Sequence, residues 1–281
     1  MKIRRATAAD NQALILLSEL TAMEGKFVLH VERRPNFFSL LNERGTFIVF
    51  VAEVSNSIVG SIASSNQKAT IAGKSREYHY ISDLKVHPNH RNSSIAYRLT
   101  KTMYRHLISV KAEILISTSI AGNKNIHPFF NGRLGIPKFT HLAELTGYQL
   151  LPYYTRLPKK LNAVESTMNS NLAELSTFYN SCKSAYALAP ITEPRDLKNK
   201  TNLVIRRNNH IVAALSYCDH SALKQNVIRQ IPTYLDYLLK TFNAITLLVP
   251  NLQIPQTGKP LRLLYISRIA AKPGHIDKIK N

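Results

Sequence analysis

Hydrophobic and polar positions along the chain change period several times. "MKIRRATAAD" (1–10) reads as a short strand running into a turn. In "NQALILLSELTAMEG" (11–25) the apolar positions, Leu14, Leu17 and Leu20 among them, take helical spacing. "GTFIVFVAEV" and "SIVGSIASS" are β-rich runs joined by "SNS", a hairpin signal, and "YHYISDLKVHP" (78–88) is a third, longer strand. "SIAYRLTKTMYRHLISV" (94–110) sets Ile95, Leu99, Met103 and Leu107 on one helical face. "AEILISTSI" (112–120) predicts a strand, and "HLAELTGYQLLPYY" (141–154) one or two more. The predicted order β-α-β-β-β-α-β is that of a mixed α/β layer structure.

The pattern then partly repeats. "RLPKKLNAVESTMNSN" reads as a linker, which divides the chain into expected domains at 1–157 and 158–281. "NLAELSTFYNSCKSAYAL" is helical, and "NLVIRRNNHIVAALSYC" is again a hairpin around a polar turn. Its "NHIVAALS" echoes "NSIVGSIAS", and "YISRIAAKPGH" (265–275) echoes "YISDLKVHPNH" (80–90). Tyr, Ile, Ser, Pro and His recur at the same places, in the same order after a hairpin, which predicts an internal duplication. The copies differ. The second carries an insertion that includes "IPTYLDYLLKTFNAITLLVPNLQIP", and the sequence stops six residues after His275, before any turn and helix of the kind that follows Pro88.

Charge changes the picture more than bulk composition does. Thirty-seven Lys and Arg face seventeen Asp and Glu, a net charge of +20 shared equally by the two halves. Such a surface attracts polyanions: nucleic acid, acidic proteins, headgroups or a phosphorylated cofactor. No interleaving of aromatic and basic residues favours nucleic acid over the others. No run reaches the roughly 18 apolar residues of a membrane span. The first residues lack an apolar secretory segment, and only Cys182 and Cys218 are present, so a reducing, cytoplasmic setting is expected. His87, His90 and His127 lack metal-ligand spacing, and no metal is expected.

The stretch "YISDLKVHPNHRNSSIAYRL" (80–99) holds the candidate chemistry. A strand that ends in a tight turn and feeds a helix offers backbone N–H groups at the helix start, an anion site that needs no metal. Asn92, Ser93, Ser94 and Ala96 are small or polar, so a phosphate can approach the backbone, and Arg91 adds a fixed charge. The same residues are ordinary helix caps.

This run resembles the signature of the GNAT superfamily, the acyl-CoA-dependent N-acetyltransferases: a strand L-x-V-x-P followed by [Q/R]-x-x-G-x-[G/A]. Here the counterparts are Leu84-Lys85-Val86-His87-Pro88 and Arg91-Asn92-Ser93-Ser94-Ile95-Ala96. The resemblance covers about residues 1–155. It implies a mixed, mostly antiparallel central sheet flanked by helices, with a second, incomplete GNAT-like domain. It also implies acetyl-CoA as cofactor, its pyrophosphate on the amides of Asn92 to Ala96 and its pantetheine arm paired like a strand with the backbone from Leu84 to Val86. Ser94 stands where the family prefers glycine. A second family element, an Asn followed by residues three and seven later, is matched by Asn123, Ile126 and Phe130. The family places a tyrosine acid at the last position, and Phe130 has no hydroxyl; Tyr97 or Tyr104 on the next helix, or departure of CoA as the thiolate, are the alternatives.

An amine acceptor must lose a proton before it attacks. Asp83 on the cofactor strand is the candidate base, polyamine-type members carrying a similar "LEDxxV" there; a surface carboxylate countering a nearby Lys or Arg is the other reading. Tyr80, His79 and Glu24 are further candidates. The expected activity is transfer of an acetyl group to an amine of a small molecule or protein by direct attack in a ternary complex. The alternative is a non-catalytic module of the same fold that binds CoA, an acidic partner or nucleic acid.

Overall fold

A computed structural model of the chain describes residues 1–21, 28–123, 126–132, 135–148, 164–167, 171–183, 186, 188–230, 232–234, 237, 257–261 and 263–274. Glu24, His275, most of the linker and most of the 231–255 insertion lie outside the described residues. In chain order the first elements are β1 (Lys2–Arg5), α1 (Asn11–Leu20), β2 (Val28–Glu32), α2 (Ser39–Arg44), β3 (Phe47–Val54) and β4 (Ser57–Ile71). Next come β5 (Lys74–Val86), α3 (Ile95–Ser109), β6 (Leu115–Ser117) and α4 (His127–Phe130). The later elements are β7 (Val164–Thr167), α5 (Leu172–Cys182), β8 (Leu188–Pro190), β9 (Thr201–Arg207), β10 (His210–Asp219), β11 (Gln225–Gln230) and β12 (Leu264–Ala271).

Two compact units share the chain by turns. The first comprises 1–67, 77–138 and 220–263; the second comprises 68–76, 139–219 and 264–281. In the first unit the sheet runs β1-β3-β4-β5-β6. Antiparallel pairing joins β1 to β3 and β3 to β4, while β5 and β6 pair in parallel. The β3–β4 corner is tight because Ser55 and Asn56 both take positive φ, 48° and 60°, as a two-residue hairpin turn of this hand requires.

Both faces of this sheet are covered, and the alternation within β3 shows it. Val49 and Val51 pack with Leu14 and Ile15 of α1 and Leu41 of α2. Ile48, Phe50, Ala52 and Val54 turn the other way, to the cluster with Ile95, Leu99, Met103 and Leu107 of α3. Those four α3 residues are all buried, as their helical spacing predicts. On α1, Leu14 and Leu17 are buried, but Leu20 is exposed at the helix end. The strand expected over 112–120 shortens to Leu115–Ser117. Residues 141–148 form no strand: Leu142, Leu145 and Tyr148 are exposed, so no burial rewards extended pairing there. Absent from the sequence-based order are β2, α2 and the partner of β2. That partner is β11, from far down the chain, and a buried His30 joins them, accepting from Arg229 Nε at 2.8 Å.

The second unit has a sheet of order β12-β10-β9-β7, with α5 packed on it through Leu175, Phe178 and Tyr179. The tip of the β4–β5 hairpin belongs to this unit, where Ala69–Ile71 pair with β8. Its path β7, α5, β9, β10, β12 follows the same order as β1, α1, β3, β4, β5. A hydrogen bond closes each strand pair at echoed positions: His87 N–H donates to Val59 C=O at 2.8 Å, and Lys272 N–H to Val212 C=O at 2.9 Å.

Gly60 fixes how closely α3 lies on the sheet. A β-carbon there would stand 2.9 Å from Ile95 Cγ2, 3.0 Å from Leu99 Cδ1 and 3.2 Å from the Lys85 carbonyl. Gly60→Val is expected to destabilise the first unit by about 1–3 kcal/mol through overpacking. Urea unfolding measures this, and an unchanged midpoint would contradict so close a helix.

Candidate functional site

Regular alternation fails once in β5, and the failure builds the site. Ile81, Leu84 and Val86 all contact the α3 cluster, although Ile81 and Leu84 are three residues apart. Asp83 takes up the odd residue with φ of +53°, a conformation that Asp tolerates better than most side chains. Ser61 Oγ on β4 donates to the Asp83 carbonyl at 3.0 Å and holds the irregular backbone. The second unit breaks in the corresponding place: Ser216 pairs with Arg268 but Tyr217 with Ile266, which leaves Ser267 as the extra residue.

Beyond this point β5 loses its neighbour. Parallel pairing with β6 runs only from His79 opposite Leu115 to Ile81 opposite Ser117, where Ser117 Oγ donates to the Ile81 carbonyl at 3.2 Å. Residues 82–86 therefore present an edge with no strand partner among the described residues. Such an edge accepts an extended amide-bearing ligand as if it were a strand. Tyr80 stands at the start of the opening, its hydroxyl 2.5 Å from Thr118 Oγ1. His79, one residue earlier, lies 3.4 Å from Ser64 Oγ, and burial lowers the pKa of its ring.

The edge leads straight into the turn. His87 Nδ1 accepts from Asn89 N–H at 3.2 Å, Pro88–His90 form a 3-10 turn, and Ser93 Oγ donates to the His90 carbonyl at 2.6 Å. Arg91 through Ser94 are exposed and Ile95 is buried. Ile95 N–H reaches Ser93 Oγ at 3.4 Å, and Arg98 N–H begins the helical bonding to Ser94 at 2.9 Å. Among the described residues, the N–H groups of Asn92, Ser93, Ser94 and Ala96 take no protein partner. They lie at the N-terminal end of α3, where the helix dipole is positive. Ser94 has φ of −74°, so serine is unstrained at the position where the family prefers glycine; the left-handed residue is Asn92, at φ of 62°. Asn123 lies in an exposed turn and accepts from Ile126 N–H at 3.4 Å, while half-buried Phe130 ends α4.

On the other face of β5 lies a charge cluster that sequence reading did not find. Arg33, only 4% exposed, sets Nη1 3.4 Å from both oxygens of Asp83, donates from Nη2 to the Phe37 carbonyl at 2.9 Å, and stacks 4.7 Å over the Phe37 ring. Its Nε is buried without a partner among the described residues. Arg44 lies 5.2 Å over the Tyr80 ring. Burial pushes the Asp83 carboxyl pKa up, but Arg33, Lys85 and Arg44 together outweigh it and hold the pKa below the usual carboxylate value. Burial lowers the pKa of Lys85, and Arg33 adds to this. Lys224, at the start of the segment that returns to this unit, is likewise lowered by burial and by Arg44 and Arg33. Asp83 is thus paired with Arg33, its side chain only 12% exposed and not the surface carboxylate of the other sequence reading. The signals for the rest were the Arg33-Arg34 pair, in a stretch to which no element was assigned, and the three-residue gap between Ile81 and Leu84.

The same place in the second unit is chemically different. Arg268 occupies the position of Asp83 and donates to Thr192 Oγ1 at 2.8 Å and to Asp196 at 3.3 Å. Lys183 bonds Thr192 Oγ1 at 3.0 Å, and burial, then Arg268, lowers its pKa to about 8. No three potential metal ligands gather among the described residues, and none of the described helices is long and apolar enough to cross a membrane.

A mixed, mostly antiparallel sheet between helices, opened beside its central strand and followed by an anion-ready helix start, is the GNAT fold. Residues 2–123 match the family model described as an acetyltransferase (GNAT) domain. No curated protein matches the chain. Among solved structures, Saccharomyces cerevisiae N-myristoyltransferase with bound myristoyl-CoA is similar at a TM-score of 0.58 and 12% identity, covering 96% of this chain and 63% of that one. A second structure of that enzyme with myristoyl-CoA gives 0.54 and 12%, covering 87% and 71%. At such identity the likeness is one of fold, and the chain spans less than two thirds of the first enzyme's length.

Asp83→Asn keeps a residue that tolerates positive φ but strands the buried Arg33 charge. It is expected to cost about 3–5 kcal/mol at neutral pH. Because the folded pKa of Asp83 is depressed, its contribution is present above the unfolded carboxylate pKa and lost as pH falls below about 4. Denaturant titrations at several pH values measure both effects, and a cost under about 1 kcal/mol would show that the pair is weak.

Proposed function

We propose that the chain is an N-acyltransferase that moves an acetyl group from acetyl-CoA to a primary amine. The observation that carries this is the continuity of the unpaired edge at 82–86 with the unpartnered amides of Asn92, Ser93, Ser94 and Ala96 among the described residues. In this reading the pantetheine amides pair with the backbone from Leu84 to Val86, and the pyrophosphate sits on the turn beside Arg91, closed by Ile95 beneath. Asn123 and Phe130 border the thiol end. The amine nitrogen attacks the thioester carbonyl in a ternary complex, the C–S bond breaks, and an amide and CoA result. Backbone N–H groups along the opening steady the oxyanion.

Proton transfer is assigned differently from the first expectation. Asp83, paired with Arg33 and lowered in pKa, is a weak base; in our reading it balances the cluster, whose surplus cations favour the neutral form of an incoming amine. Tyr80, bonded to Thr118 at the mouth of the opening, is the hydroxyl best placed to exchange protons there, since Phe130 has none. The locked Asp83 also favours a second reading, a non-catalytic module that binds CoA and meets an acidic partner or nucleic acid through its basic surface. An acceptor screen that follows thiol release separates the two.

We also read 1–157 as the catalytic copy and 158–281 as a degenerate one. Support comes from the repeated element order, the paired closing hydrogen bonds and the matched irregularities near Asp83 and Ser267. Because the compact units interleave, these boundaries describe descent and not packing.

Calorimetric titration with CoA is expected to give about one site per chain. Ala96→Glu sets a carboxylate beside the pyrophosphate and should abolish binding, while Ser94→Gly leaves it equal or tighter. Two equivalent sites, no binding at millimolar CoA, or an Ala96→Glu variant that binds like the parent would each refute the cradle.

A further inference from the structure

Two cationic side chains of the second unit share one hydroxyl. Lys183, just past the end of α5, donates from Nζ to Thr192 Oγ1 at 3.0 Å. Arg268 of β12 donates from Nε to the same oxygen at 2.8 Å, so the two nitrogens face each other across a single atom. Thr192 is 1% exposed and firmly held. Its N–H donates to Asn180 Oδ1 at 2.9 Å, and its carbonyl accepts from Asn180 Nδ2 at 2.9 Å and Ser176 Oγ at 2.7 Å. Ser176 and Asn180 both belong to α5, so the hydroxyl is fixed relative to the helix that Lys183 follows.

The partners of Nζ match a free amine better than an ammonium. Its second acceptor is the Pro190 carbonyl at 2.9 Å, which makes two acceptors for the two N–H groups of a neutral amine. An ammonium carries a third N–H, for which the described residues offer no acceptor. Nor does a carboxylate lie within 4.0 Å of Nζ among the described residues. The nearest charges at the shared hydroxyl are Arg268 and Asp196, and Asp196 is already committed. It accepts from Arg268 Nη2 at 3.3 Å and from Glu193 N–H at 2.9 Å, with Arg195 Nε 4.0 Å away. Glu193 in turn meets Arg195 at 2.7 Å and Lys68 at 3.9 Å. Burial, then Arg268, lowers the Lys183 pKa to about 8, in agreement with this geometry. With both N–H groups held, the lone pair of the neutral amine is directed away from its partners, and Lys183 is half-buried, not enclosed.

We propose that Lys183 is an acylation site of this chain, at which Nζ attacks an acyl-CoA thioester directly from solution. A C–N bond forms at the thioester carbonyl carbon and the C–S bond breaks. CoA leaves with the C–S electron pair and takes up, through water, the proton that nitrogen loses; an Nε-acyl-lysine remains. At neutral pH a lysine of this kind holds on the order of a hundredfold more free amine than an ordinary one. The chain's charge of +20 draws the phosphates of the donor toward it. Acylation leaves a single N–H, so either Pro190 or Thr192 loses its partner, and the like charge beside Arg268 is removed.

Peptide mass spectrometry tests this by following each lysine with time in the folded protein at neutral pH and millimolar acetyl-CoA. Lys183 is expected to acetylate at least tenfold faster than the exposed Lys74, Lys111 and Lys198. Its rate should level off above about pH 8 in the folded protein but keep rising to about pH 10 in the urea-unfolded chain. Arg268→Gln should slow Lys183 at least fivefold at neutral pH, and Arg268→Lys should retain most of the rate; circular dichroism confirms that each variant is folded. The pH profile of the parent tests the idea even if Arg268→Gln does not fold. The proposal is overturned if Lys183 reacts no faster than the exposed lysines, if folded and unfolded profiles coincide, or if a folded Arg268→Gln variant reacts like the parent. Direct attack also requires a rate proportional to acetyl-CoA concentration; saturation at micromolar donor, or loss of Lys183 acetylation in Cys182→Ser, would show delivery from a bound thioester or a neighbouring thiol and overturn it. The result is independent of the cradle at Asn92–Ala96, because calorimetry with CoA decides that site and the acetylation rates decide this one.

Discussion

One irregular residue in the central strand governs the site. With φ of +53°, Asp83 lets Ile81 and Leu84 both face α3, so the strand keeps its hold on the helix through Leu84 and Val86. The same residue directs its carboxylate to Arg33 and its carbonyl to Ser61 Oγ. Were β5 regular, residues 81, 83 and 85 would share one face, and Asp83 and Lys85 would press their charges into the apolar α3 interface. The irregularity therefore separates two environments on one strand: an apolar underside that positions the helix start, and a charged upper side next to the opening. Parallel pairing with β6 ends two residues before Asp83, so the break and the opening are neighbours in space.

Elements with strong local patterning were legible in the sequence. The β3–β4 hairpin, α3 with its four buried apolar residues, and the β9–β10 hairpin need only period and turn chemistry. The strand-turn-helix at 80–99 was legible for the same reason, and its Ser94 sits in an unstrained conformation that no propensity argument reveals. What depends on distant partners was not legible. β2 exists because β11, nearly two hundred positions later, pairs with it, and no local signal in 28–32 announces that. Arg33 looks like any surface arginine until the fold buries it among Phe37, Asp83 and the orphaned Nε environment. The apolar spacing in "YISDLKV" does mark the irregularity, and it occurs again in "YISRIAA".

The two halves use one plan for different chemistry. Where the first has a carboxylate facing arginine, the second has Arg268 tied to Thr192 and Asp196 beside a lysine with a lowered pKa. With positive charge at both places, the excess of +20 is a property of the cores of these clusters as well as of the surface. That excess attracts anions and repels cations, two consequences of one electrostatic cause.

Amide hydrogen exchange with and without acetyl-CoA tests the central claim most directly, because the cofactor is to be held by backbone groups. The account predicts slowed exchange at Asn92 to Ala96 and along Leu84 to Val86, with Thr201–Arg207 unaffected. Protection confined to the second unit, or none at the β5–α3 junction at saturating acetyl-CoA, would contradict it.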